Sequence, residues 1–221
     1  MIKRFKFFAI SFFLAFTFLF SSYANSEEYK VATGVDVKSA LGVALVSLSE
    51  LKGFSSKFEQ VISYADGGQR VFEGELDVLR PGKFRWHYSK PYEQLYVSNG
   101  QGVWLYEPDL MQAQLLEDLG EVDPVVIQLL DGRVGLSDVS VLGHEIFGEH
   151  FSVWHVRLGE KSEAVEVWLG IEDDAMIWIE SRDVLSNRNR LNLSKISKIL
   201  PHKKKFEFEA PEGVDVIGAI Q

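Results

Sequence analysis

The sequence contains no cysteine, and that absence limits both its chemistry and its attachment to membranes. Thiol catalysis is excluded, and an oxidising compartment would neither require a disulfide of this chain nor threaten a free thiol. A lipoprotein carries its lipid on a cysteine at its processing site, so this chain is not itself a lipoprotein. Any contact it makes with lipid is therefore made without a covalent lipid anchor of its own.

The motifs of common enzymes are also missing. The chain has no Gly-x-Ser-x-Gly, no Walker loop and no Gly-x-Gly-x-x-Gly. The helical zinc motif places its histidines at i and i+4, whereas His144 and His150 are separated by six positions in HEIFGEH. We interpret His144, Glu145 and His150 as surface residues of a turn between two strands. The sequence therefore predicts no enzymatic activity, no metal and no cofactor.

Positive charge is scarce, with 23 basic residues against 32 acidic residues. This balance argues against binding to nucleic acid, and against binding to an anionic bilayer through bulk charge. Lys203, Lys204 and Lys205 form a basic cluster, which we interpret as a solvated turn before the last strand. A docking contact with an acidic partner is the alternative interpretation.

The first 24 residues have the order of features of a secretory signal peptide. Lys3, Arg4 and Lys6 precede an apolar run at residues 7–20, and Ala24 ends the small-residue segment. The run is short for a membrane span of about 20 residues, so we expect cleavage after Ala24 in preference to an uncleaved anchor. Residues 25–221 would then form a single domain, with a net charge of 20 − 32 = −12 because the leader holds three of the 23 basic residues and no acidic one. We expect a monomer.

Two helices are predicted. Apolar residues recur at spacings of three and four across residues 36–52, with Asp36 as a possible N-cap and Gly53 at the C′ position. A second, short helix follows Asp123, which can cap it, with Pro124 at its first position and Gly132 at its end. Val125, Val126, Leu129 and Leu130 make this second helix apolar.

The rest of the chain alternates apolar and polar residues in short runs. These runs are residues 54–64, 69–79, 83–89, 94–99, 102–108 and 111–117, and then 140–147, 151–158, 164–171, 176–183, 188–197 and 205–210. The predicted fold is mainly β (α+β): a single, strongly curved antiparallel sheet of about 11 strands, with an N-terminal helix and a second, short helix against its concave face.

Aromatic residues are concentrated on one side of several strands. Alternation places Phe84, Trp86 and Tyr88 on one face of a strand, and places Trp104 and Tyr106 together on one face of another. An ordinary core is the simplest interpretation of such a face. Because the two helices cover only part of so large a sheet, an apolar cavity beneath them is the alternative.

The segment of residues 79–114, LRPGKFRWHYSKPYEQLYVSNGQGVWLYEPDLMQAQ, resembles the outer-membrane lipoprotein carrier (LolA) family. The resemblance extends to FSSKFEQ at residues 54–60, to the Asp-Pro helix and to FEFEAPEGVDV at residues 206–216. Residues 139–197 agree in strand pattern more than in particular residues. The receptor of the same pathway shares the fold but is itself a lipoprotein, so the missing cysteine favours the soluble carrier.

The resemblance implies a periplasmic chaperone that folds as an unclosed antiparallel β-barrel, with a helical lid over a hydrophobic cavity. It implies that the carrier accepts triacylated lipoproteins from an inner-membrane ABC transporter and delivers them to an outer-membrane lipoprotein receptor. By position, Arg80 would bind lid-helix carbonyls and hold the empty cavity shut. Phe84 and Trp86 would line the cavity and transfer surface, to which we add Tyr88, Trp104 and Tyr106. The helix at Pro124 would be the lid, and its inward face would consist of Val125, Val126, Leu129 and Leu130.

Two other functions stay open. The chain could carry a free lipid or glycolipid, or it could be a structural domain whose aromatic face is filled core. Material that co-purifies from the periplasm would identify the first, and failure to bind a hydrophobic dye would favour the second.

Overall fold

The computed structural model describes the backbone of residues 32–33, 35–116, 124–159 and 165–218, and the side chains of residues 35–116, 126–159 and 165–218. The predicted signal peptide, the predicted cap Asp123 and the side chains of Pro124 and Val125 lie outside the described residues.

The chain folds mainly as β-strands. In chain order the elements are β1 (Ala32–Thr33), α1 (Ala40–Glu50), β2 (Gly53–Ser63), β3 (Gln69–Leu79), β4 (Lys83–Lys90), β5 (Gln94–Asn99), β6 (Val103–Glu107), β7 (Gln112–Leu116), α2 (Pro124–Leu130), β8 (Val139–Phe147), β9 (Phe151–Leu158), β10 (Val165–Glu172), β11 (Ala175–Arg182), β12 (Arg188–Ser197) and β13 (Asp215–Ile217). Short 3₁₀ turns lie at Pro108–Leu110, Leu136–Asp138 and Lys203–Phe206.

All the described strands belong to one sheet. Its order is β1-β8-β9-β10-β11-β12-β2-β3-β4-β5-β6-β7-β13, so β1 and β13 are its two edges and the sheet does not close. Pairing is antiparallel throughout the described strands except between β13 and β7, which are parallel. The predicted class, a curved and unclosed antiparallel sheet with few helices, is confirmed.

One predicted strand is wrong. Residues 205–210 alternate like a strand, yet residues 203–206 form a 3₁₀ turn and residues 207–210 are not part of any strand. The alternation has another cause: Phe206 is buried, and Phe208 packs against Trp104 at 5.5 Å and Tyr106 at 5.7 Å between ring centroids. This segment crosses the sheet as an arm anchored by its two phenylalanines.

The predicted ends of α1 are also corrected. Its N-cap is Ser39, whose hydroxyl accepts a hydrogen bond from the Gly42 amide at 3.0 Å, and not Asp36. Asp36 instead folds back over the helix, where a Cβ on Gly42 would lie 2.1 Å from its carbonyl oxygen. Gly53 begins β2 instead of ending the helix. The residue at this position must be small, because a Cβ there would lie 2.4 Å from the Val78 carbonyl oxygen of the neighbouring strand.

The two faces of the sheet differ in composition. The face that packs against α1 and α2 is called the inner face, and it holds the main hydrophobic core. Strand pairing places Phe58, Gly74 and Tyr88 across from one another on it. The opposite, outer face carries mostly charged and polar residues, with several aromatic rings among them.

Candidate functional site

The middle of the inner face is an aromatic cluster. Phe84, Trp86 and Tyr88 share this face of β4, as their alternation predicts, and all three are buried. Trp86 stacks on Tyr88 with 6.3 Å between ring centroids and meets the edge of Phe58 at 5.5 Å. A Cβ on Gly74 would lie 2.7 Å from the Phe58 ring, so the glycine opposite gives that ring the space to lie flat over the strand.

Trp104 and Tyr106 do not belong to this cluster. Trp86 pairs with Tyr96 and Tyr96 with Leu105, so Leu105 continues the inner face into β6. Its neighbours Trp104 and Tyr106 must then point to the outer face, where they contact Phe208. The prediction that they line the same cavity as Trp86 is wrong. The alternation within one strand shows which of its residues share a face, but it does not show which face of the sheet that is, because this depends on the register between strands.

The short helix α2 covers part of the inner face. Val126, Leu129 and Leu130 are buried, with Leu129 only 1% exposed, and Gln128 faces outward. Ile127 is also buried, although it was not among the helix residues predicted to face inward. Helix α2 has seven residues, and Gln128 is the one exposed residue among its described side chains. The helix is therefore buried on nearly all sides, and the predicted single apolar face underestimates its contacts.

A cleft of about 370 Å³ lies beside this helix. Its apolar wall comes from the inner face and from α2, and its polar lining comes from the turn that follows the helix and from Lys83, Ser98 and Gln101. The apolar lining residues are Leu76, Val78, Phe84, Val103, Leu116, Ile127 and Leu130, and Asp131 and Arg133 belong to the rim. The cleft gives the apolar interior an opening at the edge of the helix.

Arg80 connects both helices to the sheet. Its Nη1 donates to the carbonyl oxygens of Ser49 at 3.1 Å and Leu51 at 2.7 Å, and also to that of Leu48, all at the C-terminal end of α1. Its Nη2 and Nε donate to the Leu130 carbonyl at 2.6 and 3.3 Å, at the end of α2. Carbonyls at helix ends have no intrahelical partner, so one guanidinium satisfies acceptors of two helices at once.

The Arg80 guanidinium is partly buried, close to the Asp131 carboxylate and the Gly132 backbone. Burial lowers the pKa of its guanidinium from the usual value, while the nearby Asp131 carboxylate opposes that shift. Asp131 also accepts a hydrogen bond from the Gly82 amide at 3.0 Å and pairs with Arg133 at 2.8 Å. A Cβ on Gly132, which has a φ of +69°, would lie 2.5 Å from Arg80 Nη1. No sequence pattern indicated Asp131 in this arrangement, and Gly132 was predicted only as a helix end.

The outer face carries a network of charged and aromatic residues on β9 to β12. Arg182 Cζ lies 3.8 Å from the centroid of the Trp168 ring, and Arg190 Cζ lies 4.1 Å from that of Trp178. The buried Glu180 accepts hydrogen bonds from both arginines. The pKa of Glu166 is lowered, mainly because Arg157 donates to its carboxylate at 2.7 Å. These two tryptophans therefore stabilise the outer surface and do not enlarge the cavity.

The basic cluster is only partly solvated. Lys205 Nζ pairs with the Asp77 carboxylate at 2.8 Å, and that side chain is 8% exposed. Ser55 also donates to Asp77, so the carboxylate has two donors where the C-terminal arm begins. Lys203, Lys204 and Lys205 are all exposed, so the interpretation of a solvated turn is incomplete only for Lys205, which also pairs with Asp77.

His144 and His150 line one surface cleft but make separate contacts. His144 and Glu145 lie within β8 and not in a turn, and the His144 ring stacks on Trp154 with 4.6 Å between centroids. His150 lies in the turn, where its Nδ1 is 2.9 Å from Asp173. Among the residues that the structure describes, no three acidic or histidine side chains are placed to hold a metal ion. Within the same residues, no helix has the length and apolarity to cross a membrane.

Comparison with known proteins gives one consistent result. A family model described as outer membrane lipoprotein carrier protein LolA matches residues 49–209. An outer-membrane lipoprotein carrier protein of Methylococcus capsulatus is 34% identical over 175 residues, which cover 76% of this chain and 83% of the relative. One from Methylobacillus flagellatus is 32% identical over 165 residues, or 73% of this chain and 80% of that relative.

A solved structure of an uncharacterized conserved protein from Thermus thermophilus shares the fold. It has a TM-score of 0.50 at 12% identity and covers 78% of this chain and 95% of the other. The family model alone spans most of the described sheet, from the end of α1 to the C-terminal arm. By that match and by the two sequence relatives, this chain belongs to the LolA family of outer-membrane lipoprotein carriers.

Proposed function

We propose that this protein is a periplasmic, non-enzymatic carrier of triacylated lipoproteins. It shields the acyl chains of its cargo between the inner face of the sheet and the helices that cover it. It accepts the cargo from an ABC transporter in the inner membrane and delivers it to a receptor on the outer membrane. The family supports the cargo class, and the residues of the inner face support the mode of binding.

The observation that carries the proposal is the arrangement of Arg80 over an aromatic interior. The inner face is apolar enough to hold acyl chains, yet α2 and α1 cover it and Arg80 binds the ends of both helices. A helix so held can act as a lid, since the one Arg80 side chain connects the ends of both helices and its release frees both from that contact. Phe84 and Leu130 line the cleft at the lid's edge, where acyl chains enter.

A latched lid answers an energetic problem of lipid carriage. Complete burial of three long acyl chains at about 0.8 kcal/mol per methylene would amount to roughly 30 kcal/mol. Non-covalent affinities reach a practical limit near 20 kcal/mol, and a carrier at that limit would not release its cargo. If cargo must displace the contacts of the lid, the net affinity falls by the free energy of the closed, empty state. The latch thus makes release possible.

Loading then requires free energy from another molecule. Extracting acyl chains from a bilayer into a cavity that fits loosely is unfavourable, and this chain has no nucleotide-binding motif. An ATP-driven transporter in the inner membrane supplies that energy, and a receptor with a higher affinity for the acyl chains draws the cargo onward.

Binding of a synthetic triacylated lipopeptide to the purified protein tests the proposal. We expect a soluble one-to-one complex, and we expect Phe84→Glu to abolish it because a carboxylate cannot be buried among acyl chains. Phe84→Ala, which introduces no charge, should weaken binding and guards against misfolding of the first variant. Ser89→Glu, on an exposed position of the same strand, is the matched control and should bind normally.

Two results would contradict the proposal. One is a folded wild-type protein that leaves the lipopeptide in micelles at every concentration. The other is equal binding by wild type and a folded Phe84→Glu variant. If the protein instead retained a free lipid or glycolipid detected by mass spectrometry of periplasmic material, the cargo class would have to be changed.

A further inference from the structure

The indole of Trp86 has a donor that nothing in the described structure uses. Trp86 is 2% exposed, its Nε1 is buried, and that atom has no hydrogen-bond partner among the described residues. Buried indole N–H groups nearly always have an acceptor, because leaving one unpaired costs free energy. The other such atom in the described residues is Arg85 Nη1, which lies on the outer face and away from the lid.

The neighbouring polar groups on the inner face are already engaged with one another. The Tyr88 hydroxyl donates to Gln60 Oε1 at 2.6 Å, and Gln60 Nε2 donates to Asn189 at 2.9 Å. A second tryptophan of the inner face, Trp154, has its own acceptor, because its Nε1 donates to Ser152 Oγ at 2.9 Å. The unpaired donor is thus a particular property of Trp86 and not of aromatic residues on this face.

Trp86 lies close to the opening through which ligands would enter. Leu76 pairs directly with Trp86, and Phe84 precedes it by two residues on the same face. Both of these neighbours line the cleft at the edge of α2. The indole therefore lies directly behind the residues that form the cleft wall, within reach of a ligand that displaces the lid.

We infer that the Trp86 indole N–H is a hydrogen-bond donor to the carbonyl oxygen of an ester- or amide-linked acyl chain. This inference rests on the proposed function, since it assigns a polar contact within the same acyl-binding interior. A hydrocarbon tail offers no acceptor, so a buried donor gains a partner only at the carbonyl where a chain joins its head group. Trp86 thereby selects acylated ligands over other apolar molecules and fixes how deeply their chains insert.

A matched pair of lipopeptides tests this inference. Both carry two long chains and an N-acetyl group; in the acyl ligand the two chains are ester-linked, and in the alkyl ligand they are ether-linked and have no carbonyl. We expect wild type to bind the acyl ligand about ten-fold more tightly, as for a hydrogen bond that satisfies a buried donor. Trp86→Phe removes the N–H but keeps an aromatic ring, so it should bind both ligands with similar affinity.

Each outcome of this experiment has one meaning. Equal affinity of wild type for the two ligands would overturn the inference while leaving the proposed function intact. So would an undiminished preference in Trp86→Phe. If wild type bound neither ligand, the proposed function itself would fail. Preference in wild type and its loss in the variant support the inference.

A measurement on the unmodified protein removes dependence on the variant. In protein labelled with ¹⁵N-tryptophan, the Trp86 indole resonance should move downfield on addition of the acyl ligand and should not do so with the alkyl ligand. The Trp154 resonance is the internal control, because its N–H already has an acceptor in the empty protein. A Trp86 shift that is the same for both ligands would contradict the inference.

Discussion

Arg80 illustrates how one side chain can control two elements. A guanidinium presents several N–H groups in a fixed fork, and here they reach carbonyls of Leu51 on one side and Leu130 on the other. A lysine ammonium is a single point of charge on a flexible stem and cannot satisfy both sets. Although burial lowers its pKa, an arginine stays protonated near neutral pH, so the strength of this contact should not change between about pH 5 and 9.

Replacement of Arg80 by leucine should slow the release of cargo. The variant loses the hydrogen bonds that stabilise the closed, empty state, so the bound state becomes relatively more favourable. We expect transfer of a triacylated lipopeptide to an acceptor to slow by about five-fold or more, as for loss of roughly 1 kcal/mol. Fluorescence-detected transfer measures this rate.

The controls for this experiment separate geometry from charge. Arg80→Lys keeps the charge and should still release slowly, whereas Arg188→Leu removes an exposed arginine and should behave as wild type. Wild-type release rates in Arg80→Leu would contradict the latch.

Glu166 predicts a pH-dependent contribution to stability. Its pKa is lowered in the folded protein, chiefly by the hydrogen bond from Arg157, so its ionised form stabilises the fold at pH values above the unfolded pKa of about 4.3. That contribution is lost as the pH falls through the folded pKa. Glu166→Gln should therefore be less stable than wild type at pH 7, by at most about 1 kcal/mol because both side chains of the pair are partly exposed, and the difference should shrink as falling pH protonates Glu166 in the folded protein.

Urea unfolding at several pH values measures the difference between these two proteins. Glu172→Gln is the control, since Glu172 is an exposed residue of the same strand with no ion pair in the described part of the chain. A difference between wild type and Glu166→Gln that persisted unchanged at low pH would show that the carboxylate charge is not the cause.

At the scale of elements, the strands were more predictable than the connections between them. Turn residues and alternation gave β3, β5, β9 and β12 with their observed bounds, because each signal is local in the chain. The edge strands β1 and β13 were not predicted. They have two and three residues, and their partners β8 and β7 are distant in sequence.

The same difference explains the site residues. Phe84, Trp86 and Tyr88 could be grouped from one strand, whereas the position of Trp104 depends on the register between β4, β5 and β6. Ile127 and Asp131 could not be assigned because burial around α2 and the approach of Gly82 are tertiary effects. The contacts of Arg80 with helix ends were implied by the family resemblance, and no local pattern indicates them.

The turn after α2 provides a test of the lid. Gly132→Ala places a Cβ into the space of the Arg80 guanidinium and also strains a φ of +69°. We expect the fold to lose about 1–2 kcal/mol and the lid of the empty protein to open. Because the chain has no cysteine, spin labels at Gln128→Cys and Ser89→Cys can report the distance from lid to sheet, which should lengthen.

Gly148→Ala is the matched control for this substitution. Its φ is +68°, but an added Cβ there meets nothing within 4 Å, so it reports backbone strain alone. An unchanged distance in Gly132→Ala would contradict the view that Arg80 holds α2 in place.

The C-terminal arm makes a separate prediction. Trp104→Ala removes the outer-face ring that contacts Phe208, so residues 206–217 should exchange amide hydrogens faster. Lipopeptide affinity should stay within about two-fold of wild type, because the ring faces away from the interior. Phe84→Ala should show the reverse pattern. A large loss of affinity in Trp104→Ala would show that the outer face also contacts cargo.

At the scale of the whole molecule, the unclosed sheet and the helix that covers it are held together by different contacts. The strands from β2 to β5 and from β8 to β12 pair over long stretches, whereas α2 is short and is attached through Arg80 and through Asp131. A rigid sheet with a weakly attached cover can change its contents without unfolding. Under the proposed function, another protein supplies the energy for loading this molecule.

The most direct test of this account is release of a newly made triacylated lipoprotein from spheroplasts or membranes in the presence of ATP and purified protein. We predict that the lipoprotein appears in the soluble fraction in a one-to-one complex with wild type, and that it stays in the membrane when Phe84→Glu is used. If no lipoprotein is released by wild type while the transporter is demonstrably active, the protein is not a lipoprotein carrier.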